Sequence, residues 1–108
     1  MPPHYDIVFL LTAPRGHLVE VRRLDQPVGS PKNRVYHWLW IEGSAVVTLH
    51  FVSMSSAPHQ RDFEEAVLRF DDAGGELRWR GGDTVALLPR ASQDLPQVLH
   101  GLIQQHLS

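Results

Sequence analysis

Residues 35–54 read VYHWLWIEGSAVVTLHFVSM, and the way this stretch folds back on itself decides the architecture. Two runs rich in β-branched and aromatic residues, Arg34–Glu42 and Ala45–Met54, flank Gly43-Ser44. Glycine in the first place of a two-residue loop suits a type II′ hairpin turn. Pairing across that loop sets Tyr36 against Phe51, Trp38 against Leu49 and Trp40 against Val47, all on one face. The other face carries Val35, His37, Leu39 and Ile41 against Val52, His50, Thr48 and Val46. Sliding the loop back to Glu42-Gly43 changes the partners and keeps the faces. Three rings in a row are either a platform for flat ligands or the inner side of a sheet. Their apolar cross-strand partners favour the core.

Outward from this hairpin, the chain supplies more strands. Tyr5–Thr12 (YDIVFLLT) is an apolar run closed by Ala13-Pro14-Arg15-Gly16, a central strand whose hairpin partner is His17–Leu24. Asp25–Asn33, with two prolines and a glycine, reads as a loop. The segment Ser56–Ala73 reads as a helix, because Phe63, Ala66, Val67 and Phe70 fall at i, i+3, i+4 and i+7. Glu76–Arg80 and Asp83–Leu88 form another hairpin across Gly81-Gly82, with Arg80 opposite Asp83. A last helix begins at Ser92 or Asp94, with Pro96 in its first turn. Its apolar side is Leu95, Val98, Leu99, Leu102 and Ile103, and Gly101 is expected to let it approach the sheet closely. The expected class is therefore α+β, a mainly antiparallel sheet in the order β-β-β-β-α-β-β-α with both helices on one face.

Composition limits the function. With 108 residues, 43% hydrophobic and 20% charged, the sequence suits one globular domain over residues 1–108. It has no cysteine, which removes disulfides, thiolate nucleophiles and sulfur-built zinc sites. Net charge is −2, so a general nucleic-acid binder is not expected. The start, MPPHYD, has no basic segment leading into a long apolar one, and no apolar run is long enough for a membrane span. A cytoplasmic protein is the expectation.

Motifs for catalysis are missing. No serine sits in a G-x-S-x-G elbow, and GGELRWRGGD has neither a phosphate-binding lysine nor a G-x-G-x-x-G. His37 and His50 come out opposite each other, where two imidazoles on adjacent strands could share a zinc with His17 or Glu20 as a third ligand. Yet no HxH or HExxH spacing is present, so neither metal nor cofactor is expected. Arg15, Arg22, Arg23, Lys32 and Arg34 gather in the first hairpin and the proline loop, opposed in sequence by only Glu20 and Asp25.

These features lead to an expectation of binding rather than catalysis. The partner would be another protein, an acidic one if the arginines receive it, at a site made of Arg15, Arg22, Arg23, Lys32, Arg34, His37 and His50. The role that suits a small compact chain is a bacterial immunity protein, inhibitor or adaptor. Homodimerisation through sheet edges or the histidine face is a further expectation. The alternatives are a small metal-dependent or ligand-binding enzyme organised around His37 and His50, and single-stranded nucleic-acid or ligand binding on an exposed aromatic face.

Overall fold

A computed structural model of the protein describes residues 4–54 and 58–108. Among them are nine strands: β1 Tyr5–Ala13, β2 Gly16–Arg23, β3 Tyr36–Glu42, β4 Ala45–Leu49, β5 Phe51–Met54, β6 Gln60–Phe63, β7 Ala66–Asp71, β8 Gly74–Trp79 and β9 Thr84–Pro89. A single helical turn, α1 (Lys32–Val35), precedes β3, and α2 (Gln97–Leu107) follows β9 after a 3₁₀ turn at Ser92–Asp94. None of these helices is long and apolar enough to cross a membrane.

Every strand pairing is antiparallel, and the order across the sheet is β4-β3-β2-β1-β9-β8-β7-β6-β5. The two outermost strands, β4 and β5, are consecutive in the chain, separated by His50 alone. Successive Cα atoms lie about 3.8 Å apart, so the sheet's two edges must meet at that residue. The sheet is thus rolled into a nearly closed barrel, and β4 and β5 are one strand path bent at His50. β4 pairs with β3 on one side of this path, and β5 pairs with β6 on the other.

Alternation assigns the faces. Leu11, Leu18, Trp38, Trp40, Leu49, Phe63, Leu68, Leu77 and Leu87 point into the barrel and form one core. Trp38 and Trp40 are 7% and 4% exposed, so two of the three rings in VYHWLWI fill the interior, while Tyr36 is half-buried at its end. The opposite side of β1–β3 is also covered. Tyr5, Leu10, Val19, Val21, Leu39 and Ile41 lie beneath Leu95, Leu99 and Ile103 at and beside α2. An irregularity between Ile7 and Phe9 lets Ile7 and Leu10 share that outer core, while Phe9 packs on the inner one. Tyr5 ties the two layers together: its hydroxyl donates to the His100 carbonyl at 3.2 Å and meets its Nδ1 at 2.7 Å. Burial pushes the Tyr5 phenol up to about 12.

Several expectations are corrected. Residues 60–71 are not helical but form β6 and β7, joined at Glu64-Glu65 (the expected start, Ser56, lies outside the described residues). Ala66, Leu68 and Phe70 alternate inward along β7, and the turn shifts Phe63 out of their phase. Phase shift plus alternation imitates a helical stripe. The order of elements changes accordingly. Among the described residues α2 is the one helix longer than a turn, and it packs on the outside of β1–β3, so two helices do not share a face. Gly101 does not mediate that packing, since a Cβ there would have no atom within 4 Å. The β3–β4 hairpin keeps the expected register, with Trp38 opposite Leu49 and Trp40 opposite Val47. The β8–β9 hairpin does not. Gly81, at φ 72°, lengthens the loop to three residues, and Leu77 faces Val85.

Candidate functional site

The bend at His50 leaves the barrel open along one side. Between α1, the start of β3 and β5 lies a cleft of 920 Å³ that reaches the inner face of β2. Its walls are aromatic and aliphatic where they continue the core: Tyr36, Trp38, Leu49 and Phe51. Charge enters from Glu20, Lys32, Arg61 and Glu64, and the histidines at its margin are His37 and His50.

Glu20 owes its place to strand alternation. It is in phase with Leu18 on β2 and therefore points inward, opposite Phe9 on one side and Trp38 on the other. The Phe9 and Trp38 rings meet at 5.8 Å between centroids. Burial raises the Glu20 carboxyl above the usual carboxylate range, and the charges of Arg61 and Lys32 offset part of that rise. Among the described residues neither cation comes within the 4.0 Å of an ion pair with it. No fully buried side-chain oxygen among these residues lacks a partner, so the carboxylate opens onto the cleft.

Both neighbouring cations are engaged elsewhere. Arg61, inward on β6, donates through one terminal nitrogen to the carbonyls of Pro58 at 3.3 Å and Gln60 at 3.0 Å. Its guanidinium also lies 5.2 Å from the Phe70 ring centre. The Lys32 ammonium sits 5.7 Å from the Tyr36 ring centre.

At the bend, Glu65 acts as a clamp. One carboxylate oxygen accepts the His50 main-chain N–H at 2.7 Å, and the other meets the His50 Nδ1 at 2.5 Å. The bond to Glu65 and its charge hold the His50 imidazole above its ordinary range. Burial raises the Glu65 carboxyl, but its bonds to His50 outweigh that and bring it below the ordinary range. Glu64 adds a third ligand atom, and the three lie within 4.8 Å of one another. A cation placed there would compete with bonds that already hold the strand's bend.

His37 and His50 do not stand opposite each other. The β3–β4 pairing ends at Trp38 and Leu49, one residue short of them, and His50 turns to Glu65. His37 is half-buried on the outer side of β3, where its Nε2 donates to the Arg34 carbonyl at 3.2 Å. Burial holds its pKa below the ordinary imidazole value, although the bond to Arg34 opposes this. Neither suggested third ligand joins them. His17 bonds Thr12 at the other end of β1–β2, and Glu20 faces inward.

The basic residues also disperse. Arg15 occupies the β1–β2 turn, roughly 25 Å along the hairpin from Arg22 and Arg23 at about 3.3 Å per residue. Arg15 pairs with Glu42, Arg22 with Asp6 across the strands, and Arg23 with Asp25. Lys32 lines the cleft, and Arg34 is exposed on α1.

The sequence reading missed Arg61, Glu65 and Phe51 as site residues and weighed Glu20 only as a metal ligand. One signal was present: in HLVEVRRL, Glu20 is in phase with Leu18. No protein-family model matches this chain, and comparison with curated proteins and with solved structures found no match.

Proposed function

We propose that this chain is a binding protein whose barrel cleft receives a small molecule with an apolar body. The observation that carries this reading is the 920 Å³ opening into the core, walled by Tyr36, Trp38 and Phe51, with the Glu20 carboxylate, which has no ion-pair partner among the described residues, inside it. Its size falls in the roughly 300–1,000 Å³ range of ligand pockets, and the mouths of β-barrels are a common place for them. A few polar groups on an apolar wall orient a ligand without requiring chemistry of it. The test uses the neutral dye Nile red. Saturable fluorescence enhancement should weaken several-fold in Phe51→Ser, a half-exposed wall position, with circular dichroism of the variant checking that it folds. Non-saturable enhancement, or none that Phe51→Ser alters, would remove the cleft as a binding site.

A second reading keeps a protein partner, as an immunity protein, inhibitor or adaptor would have. It is supported by the outer edges of β4 and β5, which have no strand beside them among the described residues. Val47 and Val52 are exposed on the same path. Such edges accept an added strand, from another protein or from a second copy. Light scattering with the unmodified chain and with Val47→Lys separates these cases. A dimer lost in Val47→Lys places a second copy there, and a monomer leaves the edge to a different partner.

A further inference from the structure

We infer that the cleft selects an organic cation, a molecule whose ammonium head seats on Glu20 while its apolar body lies against Trp38, Tyr36 and Phe51. This rests on the reading of the cleft as a ligand site and names the class of ligand.

The contacts that each charged group in the cleft already has decide the sign of its ligand. Arg61 is held by two carbonyl oxygens and the face of Phe70. Lys32 lies over Tyr36. Glu65, behind His50, has both oxygens occupied. Glu20 has no ion-pair partner among the described residues, although it projects between Phe9 and Trp38 on a wall of the barrel. Glu64 adds a second negative charge at the rim, 3.9 Å from the His50 Nδ1. An arriving anion would meet the carboxylates of Glu20 and Glu64, which share the cleft with Arg61 and Lys32. An arriving cation meets a buried-side carboxylate that has no ion-pair partner among the described residues.

The walls favour the same sign. Aromatic faces carry a negative quadrupole, so an ammonium beside Trp38 is attracted, and more strongly where water is partly excluded. A carboxylate beside aromatic rings is a site for an alkyl- or arylammonium. An amide or hydroxyl head would use the same walls but leave Glu20 without a counter-charge.

Three probes sharing a phenylethyl body test this: 2-phenylethylamine as its cation, neutral 2-phenylethanol and anionic 3-phenylpropionate. Their binding to the full chain is read by calorimetry and by tryptophan quenching near neutral pH. The amine should bind about tenfold more tightly than the alcohol, the increment of one charge-assisted contact, and the carboxylate most weakly. Glu20→Gln should bring amine and alcohol to within about twofold of each other. Glu20→Asp, which keeps the charge, should restore a preference for the amine. If the alcohol or the carboxylate binds as tightly as the amine, the cation assignment falls while the cleft remains a site. If none of the three binds and Nile red does not either, both readings fall. The charge series on the unmodified chain decides the matter even should Glu20→Gln not fold.

Discussion

A group kept for a ligand should be a liability without one, and Glu20→Gln measures this. The glutamine copies the shape of a protonated Glu20 and removes its charge. An unsatisfied buried polar group costs about 1–3 kcal/mol, and partial exposure to the cleft places Glu20 at the low end. The field of Arg61 and Lys32 keeps it there. The substitution should therefore stabilise the free protein by about 1 kcal/mol near neutral pH, or about 4 °C in Tm for a domain of this length. Burial raises the Glu20 carboxyl above its value in the unfolded chain, so the folded state retains the proton to higher pH. Stability then falls as pH rises from the unfolded value, about 4.3, through the raised one. Below that interval the side chain is neutral in both states, and Glu20→Gln should match the parent. Thermal melts followed by circular dichroism at about pH 4 and near neutrality read both arms. A variant less stable than the parent at neutral pH would refute the reasoning, because Glu20 would then have a structural partner. An equal increment at both pH values would refute it too, because the effect would not come from charge.

Other positions give independent checks. At Gly16 a methyl group would collide with the Trp40 indole and come within 2.7 Å of the Ile41 carbonyl; Gly16→Ala should lose about 1–3 kcal/mol in urea titration, as overpacked cores do. The opposite sign is expected at Gly101, exposed within α2 with open space around it. There, Gly101→Ala should add about 0.5–1 kcal/mol by the same assay. In NMR titration, His50 should show a pKa above the ordinary imidazole value of about 6.5, returning towards it in Glu65→Gln. The raised His50 stabilises the fold below its unfolded pKa, an effect lost as pH rises through the folded value. The lowered Glu65 contributes above its unfolded pKa and loses that as pH falls through its own folded value.

Short-range rules carried the sequence reading where a turn had one solution. Gly43, with φ 61°, closes a two-residue loop, and from it follow the register of β3 with β4 and the inward rings of Trp38 and Trp40. They failed where two periods coincide. Phe63, Ala66, Val67 and Phe70 satisfy a helix, and Ala66, Leu68 and Phe70 satisfy a strand. Pairing with β8 decides for the strand, and no local signal contains that partner. The face bearing His37 was expected to receive a partner, since the aromatic face was assigned to the core. In a rolled sheet with a helix outside, both faces of β3 are covered. Glu20 was legible as an in-phase acid but not as part of a cleft, since its opposite wall, Arg61, comes from the segment read as helix.

The position of α2 bears on how the chain is made. Residues 5–49 form a half-shell whose outer side, from Tyr5 to Ile41, stays greasy until Leu95, Leu99 and Ile103 cover it. The Tyr5–His100 contact spans 95 residues, so this cover comes late. At roughly 5–20 residues per second, a ribosome would leave that side bare for about 3–10 s after β3 has emerged. During synthesis the outer side of the half-shell thus waits for α2, the last element to join it.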